Sequence, residues 1–200
     1  MAFVDSDPAS RHAPSTSPAR QRILATADAL FYSDGIRAVG VDRLIRESGV
    51  TKATFYKHFG AKEHLVVEYM TARHEATKEE LQAIIANAAD PREAIEAVVA
   101  AITAEIQSSG FRGDPFLNAA AEYSSERHPV RMIVADHRDW YTDTLADLLR
   151  QLGHPLPGDG ADEIVLAIDG ATAGGYASDP VASAAAMQRV VHRILTDVGA

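Results

Sequence analysis

The stretch Gly35–Lys62, GIRAVGVDRLIRESGVTKATFYKHFGAK, decides how the rest of the chain is read. Val41, Leu44 and Ile45 recur at helical spacing before Ser48-Gly49-Val50, and Phe55 and Phe59 recur after it. That spacing predicts two short helices, 42–48 and 52–58, joined by a tight turn. Gly49 can take the positive φ that such a turn often needs, and Thr51 is placed to cap the second helix. With the apolar side chains turned inward, Lys52, Thr54, Tyr56, Lys57 and His58 fall on the remaining faces. A helix N-terminus carries free N–H groups and a positive dipole, and so tolerates a nearby phosphate. Pattern alone also fits two packed helices that bind nothing, with Tyr56 and His58 partly buried.

Charge separates this stretch from the rest. The 200-residue chain has a net charge of −9, which by itself argues against a nucleic-acid partner. Residues 1–60, however, carry a balance of +2 and residues 61–200 one of −11. Within 35–62, Arg37, Arg43, Arg46, Lys52, Lys57 and Lys62 stand against only Asp42 and Glu47. A small basic segment on an acidic body suits local contact with DNA phosphates and discourages nonspecific wrapping.

Outward from it, the chain is punctuated by prolines. Ser17-Pro18, Asp90-Pro91, Asp114-Pro115, His128-Pro129 and Asp179-Pro180 each place proline where a helix can begin. Four of these put Ser or Asp in the capping position, and Asp90-Pro91-Arg92-Glu93 has capping-box spacing. Between the prolines apolar residues recur with a period near 3.6, and nothing alternates like a strand. The expectation is an all-α fold of about nine helices, at 18–34, 42–48, 52–58, 61–88, 91–108, 115–124, 129–152, 161–177 and 180–197. Residues 1–16, rich in Pro, Ser, Asp and Ala, read as a disordered arm. The segment 154–160, HPLPGDG, reads as a loop.

Composition excludes several classes of function. With no cysteine there is no disulfide framework, thiolate metal site or thiol nucleophile. No apolar run approaches the roughly 20 residues of a membrane span, and Met1 to Pro18 lacks the features of a signal peptide, so a cytoplasmic location is expected. There is no nucleophile–base constellation, phosphate-binding glycine loop or HExxH motif. His64 and His74 are ten residues apart, too far for a metal pair on one helix turn. Neither an enzyme nor a cofactor is expected.

The run Gly49-Val50-Thr51-Lys52-Ala53-Thr54-Phe55-Tyr56-Lys57-His58-Phe59, followed by Ala61-Lys62-Glu63 and Leu65, resembles the TetR family of repressors. The likeness is strong across 18–66 and looser beyond. It implies a DNA-binding unit at 17–66 and a ligand-binding, dimerising body at 67–200. Lys52, Ala53 and Thr54 would then face base edges in the major groove, with Ala53 small enough to permit close approach. Thr51, Tyr56, His58 and Lys62 would grip phosphates, and Lys57 would lie near the backbone or a base. Two positions depart from the family's habit. Gly40 stands where Ser or Thr often caps the second helix, and Ile45 stands where alanine is common.

In the body, Gly110–Tyr123 with His128-Pro129-Val130-Arg131 looks like a segment of one broad group of these regulators, without the cysteine common after its first glycine. Polar residues on apolar faces, Asn118, Glu122, His137 and Tyr141, are the pocket candidates, with Phe111, Phe116, Trp140 and Tyr176 as aromatic walls. Core packing or an internal hydrogen bond is the competing role for each. Ile164, Ile168, Ala171, Gly175, Met187, Val190, Val191 and Ile194 on the last two helices are the candidates for a four-helix dimer interface, although some of them must face the chain's own core. The implied function is a homodimeric repressor released from palindromic operator DNA by a small-molecule effector. An enzyme or carrier with a vestigial head, and a protein-interaction module without a DNA target, are the competing readings.

Overall fold

The computed structural model describes residues 17–198, and the arm expected over 1–16 lies outside the described residues. Nine helices occur among them: α1 Pro18–Asp34, α2 Val41–Ser48, α3 Lys52–Phe59, α4 Lys62–Asn87, α5 Pro91–Ile106, α6 Pro115–Glu122, α7 Pro129–Gln151, α8 Pro157–Ala177 and α9 Pro180–Thr196. No strand is present among the described residues, and the chain is all-α.

Six of these helices begin on proline, whose fixed φ suits the first turn and whose missing N–H leaves nothing unpaired. Asp90, Asp114 and Asp179 cap α5, α6 and α9, accepting the N–H groups of Glu93, Leu117, and Val181 with Ala182. His128, which is not a preferred cap, does the same for α7 by accepting the Val130 N–H at 3.2 Å. Ser17 departs from expectation. Its hydroxyl makes no cap and lies 3.5 Å from His58 Nε2 instead. The Glu93 carboxylate reaches back one residue further than the usual box, accepting from Ala89 N–H at 2.7 Å.

The eighth helix also starts earlier than expected, at Pro157 rather than 161. Its glycines read as loop signals, but Gly160 answers a packing need. A Cβ there would meet Leu149 Cδ1 at 3.0 Å and Ile194 Cγ2 at 3.3 Å, so glycine lets α8 lie close to α7 and α9.

Two cores hold the helices. The first joins Ile23, Ala27 and Phe31 of α1 with Leu44, Phe55 and Phe59, the α4 residues Leu65, Tyr69 and Met70, and Phe116, Ala119, Tyr123 and Val130. The second gathers α5, α7, α8 and α9 around Ile95, Leu145, Leu149, Ile164, Met187 and Leu195. The first core crosses the 66/67 division, which itself falls inside the 26-residue α4. Leu65 and Ile85 of α4 reach opposite cores, so this helix joins the two ends of the molecule.

Candidate nucleic-acid interface and ligand cavity

The turn between α2 and α3 is built as its sequence requires. Gly49 sits at φ 63° and ψ 33°, the left-handed region, and closes α2 through N–H bonds to the Ile45 and Arg46 carbonyls. Gly40 caps α2 without a side-chain bond, and Ile45 is accommodated half-buried against the first core. Thr51 Oγ1 accepts the Thr54 N–H at 3.1 Å and lies 2.8 Å from the Thr54 hydroxyl. That pair caps α3 and also fixes the rotamer of Thr54.

Phe55 and Phe59 are buried, which turns Lys52, Ala53, Tyr56 and Lys57 to solvent, with Thr54 and His58 half-buried. The Tyr56 ring packs edge-on against Phe55 at 5.4 Å and remains 43% exposed, so its hydroxyl is both positioned and accessible. The basic groups are not equivalent. Arg43 pairs with Asp34 and with Glu47, Arg46 approaches Glu47 at 3.4 Å, and Arg37 stacks over Tyr123. Lys62 Nζ donates to the Ile36 carbonyl at 2.6 Å and lies over the Phe31 ring, its pKa pushed down by burial. Lys52 and Lys57 make no hydrogen bond or ion pair among the described residues. Of the basic groups within 35–62, the readily available ones are therefore Lys52 and Lys57 on α3.

A cavity of 820 Å³ lies between α1, α4, α5, α6, α7 and α8. That is the size of a site for a drug-sized ligand, roughly 300–1,000 Å³. Phe111, Phe116, His137 and Tyr141 line it, with Leu24, Ala25 and Asp28 from α1. His137 stacks on Phe116 with ring centroids 3.6 Å apart and shares a 3.0 Å Nδ1–Nδ1 hydrogen bond with His74. Burial first, and His74 second, hold the His137 pKa down at about 4. Burial also raises the Tyr141 phenol. Arg73 joins α4 to α1 through Asp28 at 2.7 Å, with its guanidinium over the Tyr32 and Tyr69 rings.

Residues 23–69 match the family of bacterial regulatory proteins named for TetR. The fold is similar to SCO4454, a TetR-family transcriptional regulator from Streptomyces coelicolor, at 37% identity and a TM-score of 0.87, covering 91% of this chain and 96% of that one. The chain belongs to the TetR family. Among curated relatives of this regulator is the HTH-type transcriptional regulator LmrA of Bacillus subtilis, 29% identical over 67% of this chain and 72% of its own. The HTH-type transcriptional repressor KstR2 of Rhodococcus jostii is 29% identical over 66% of this chain and 60% of its own. These relatives are transcription regulators, not enzymes, and so is this TetR-family chain.

The structure separates the sequence-predicted pocket residues of this TetR regulator into two groups. Asn118, Glu122 and Tyr176 lie not on the large cavity but on a 250 Å³ cleft beside Gly35 and Arg112. Each has a partner there. Asn118 donates to the Arg112 carbonyl at 2.8 Å, Tyr176 bonds to the Arg112 guanidinium, and Glu122 accepts from Ile36 and Arg37. Trp140 does not line the large cavity; it packs against His74, His137 and Tyr141. Of the interface candidates, Ile164, Ala171, Met187, Val191 and Ile194 are buried in the chain's own core. Ile168 and Val190 pack against that core, and Gly175 abuts Ile106. Their helical period marks the inner face of α8 and α9, because each helix must first cover its own bundle.

The charged residues of the large cavity escaped sequence reading. Asp28, Arg73, Glu80, Glu105, Asp114, Arg138 and Asp169 occupy helices and caps where charge normally signals a solvated face. The His74–His137 pair joins helices 63 residues apart in sequence. No group of three or more metal-binding side chains gathers among the described residues, and no helix there is long and apolar enough to cross a membrane.

Proposed function

We propose that this regulator is a homodimeric repressor that leaves a palindromic operator when a small molecule fills the 820 Å³ cavity. The observation that carries this reading is the cavity's wall: Gln21, Leu24, Ala25 and Asp28 belong to the first helix of the DNA-binding unit. A ligand there touches residues that move with the recognition helix, so its affinity differs between head positions. Such differential affinity is the requirement for shifting a population.

DNA reading is assigned to 17–66, with Lys52, Ala53 and Thr54 at base edges, Thr51, Tyr56 and His58 toward the backbone, and Lys57 near the backbone or a base. Dimerisation and most of the ligand cavity are assigned to 67–200, with α1 completing the cavity's wall. The surface on offer to a second copy is the outer face of α8 and α9, where Leu166 and Val181 are each 64% exposed and are joined by the exposed small residues Gly170, Ala173, Ala182 and Ala186. Two-fold pairing there presents two recognition helices to half-sites about one helical turn, or a multiple of it, apart.

The test is selection of binders from a random duplex library at physiological salt. An enriched palindrome is expected. If none emerges, and Lys52→Ala with Tyr56→Phe leaves residual duplex binding unchanged, the reading fails.

A further inference from the structure

The charges around the cavity do not balance. Asp28, Glu80, Glu105, Asp114 and Asp169 line it, against Arg73 and Arg138 alone. Both guanidiniums are already paired, Arg73 with Asp28 at 2.7 Å and Arg138 with Asp169 at 2.6 Å. Asp114 caps α6 by accepting the Leu117 N–H at 2.7 Å. Glu80 and Glu105 receive no hydrogen bond and no ion pair among the described residues.

Desolvation by the neighbouring cavity wall is the first reason the Glu105 carboxyl is raised above its ordinary range, with Asp114 and Glu80 adding to it. Glu80 and Glu105 are solvent-exposed on the cavity's lining and place unneutralised negative charge beside a largely apolar space, which favours a positive guest over a negative one. The rings of Phe111, Phe116 and Tyr141 line the same space. Aromatic faces attract cations and bury apolar bodies together.

We propose that the cavity selects an organic cation, an amine or onium carrying a bulky apolar body, with its charge held against Glu80 and Glu105. The proposal rests on the ligand-released reading above for its biological meaning, but its charge preference is tested without DNA. A carboxylate-bearing amphiphile would be disfavoured in the same space.

Tetraphenylphosphonium and tetraphenylborate are the probes, because they share a shape and differ in the sign of charge. Titration calorimetry with the full chain is expected to show the phosphonium binding at least about tenfold more tightly. The double variant Glu80→Gln/Glu105→Gln is expected to remove that preference, and Lys52→Ala to leave it intact. Equal or tighter binding of the borate by the unmodified protein overturns the proposal whether or not the variant folds. So does a folded double variant that keeps the preference. Adding the phosphonium to the selected operator complex then separates the two readings. Cation binding without DNA release upholds the cation site and sinks the effector mechanism. Release by a neutral or anionic compound, with no phosphonium binding, does the reverse.

Discussion

The ammonium of Lys62 donates to the carbonyl oxygen of Ile36 at 2.6 Å, tying the first residue of α4 to the loop between α1 and α2. The N–H of Ile36 goes the other way, to Glu122 Oε1 at 2.8 Å, and the next N–H, of Arg37, reaches Oε2 at 2.6 Å. With its side chain also buried, Ile36 is held on both sides by the helices on which the recognition unit rests.

Lys62→Met is therefore expected to cost stability more than DNA affinity. The loss should be about 1–2 kcal/mol in a denaturant melt, since the Ile36 carbonyl is left half-buried without its donor. The salt dependence of operator binding should stay as it was. A flattened salt slope in a variant of unchanged stability would return Lys62 to the phosphate-gripping role that family resemblance suggests.

Glu122→Ala removes a charged acceptor from two backbone donors at once. A loss of about 2 kcal/mol is expected, with Glu122→Gln losing less because one acceptor oxygen remains. Hydrogen exchange gives the local readout. Amide protection at Ile36 and Arg37 should fall in the alanine variant while the α8–α9 amides are unaffected.

Lys52 and Lys57, without protein partners, should behave as phosphate or base-edge cations. Each alanine substitution is expected to flatten the slope of log affinity against log salt by about 1 for every phosphate left without its lysine. Thr54→Ala should instead change which base is preferred within a half-site, read by repeating the duplex selection. Unchanged slopes in both lysine variants would remove α3 from the phosphate backbone.

His137 gives the protein an acid-sensitive element. Its folded pKa is about 4 against an ordinary 6.5. Between those values the unfolded chain takes the proton and the folded one refuses it. Stability is thus full above pH 6.5 and declines as pH falls toward 4. His137→Phe keeps a ring beside Phe116 and abolishes the titration. Thermal melts across this window should show a shallower decline, with the difference on the order of 2 kcal/mol at its acid end after solvent screening. Parallel declines in the two proteins would assign the acid limb to other groups.

Leu166→Glu should separate the protomers without unfolding them, because this side chain is 64% exposed on α8. Sedimentation is expected to report a folded monomer that binds a half-site weakly. Ile164→Glu, two residues away and fully buried, should fail to fold. A Leu166→Glu protein that remains dimeric would move the interface off this face.

Much of the fold is legible in the sequence, and the reasons are local. The α2–α3 turn rests on Gly49, a Thr51 cap and two phenylalanines at helical spacing, all within one short segment. Proline after a capping aspartate marks the starts of α5, α6 and α9, and proline itself those of α1 and α7, whereas Pro157 looks like loop because two glycines follow it. Pairings between distant segments are not legible in the same way. Lys62 carries the same charge whether it faces a phosphate or the Ile36 carbonyl. The inner stripe of α8 and α9 has the period of an interface because every packed helix has one. Glu105 looks like surface and is solvent-exposed, and only the placement of α4 and α6 beside it makes it part of the cavity's lining.

Because Gln21, Leu24, Ala25 and Asp28 form part of the cavity's wall, the two functional halves of the chain are not interchangeable cassettes. Grafting the head of another regulator onto this body at residue 66 would import a foreign wall along with the foreign operator preference. The chimera's ligand selectivity would then belong to neither parent. Restoring those four α1 side chains in the graft is the smallest repair that lets the specificity of one end be changed while that of the other is kept.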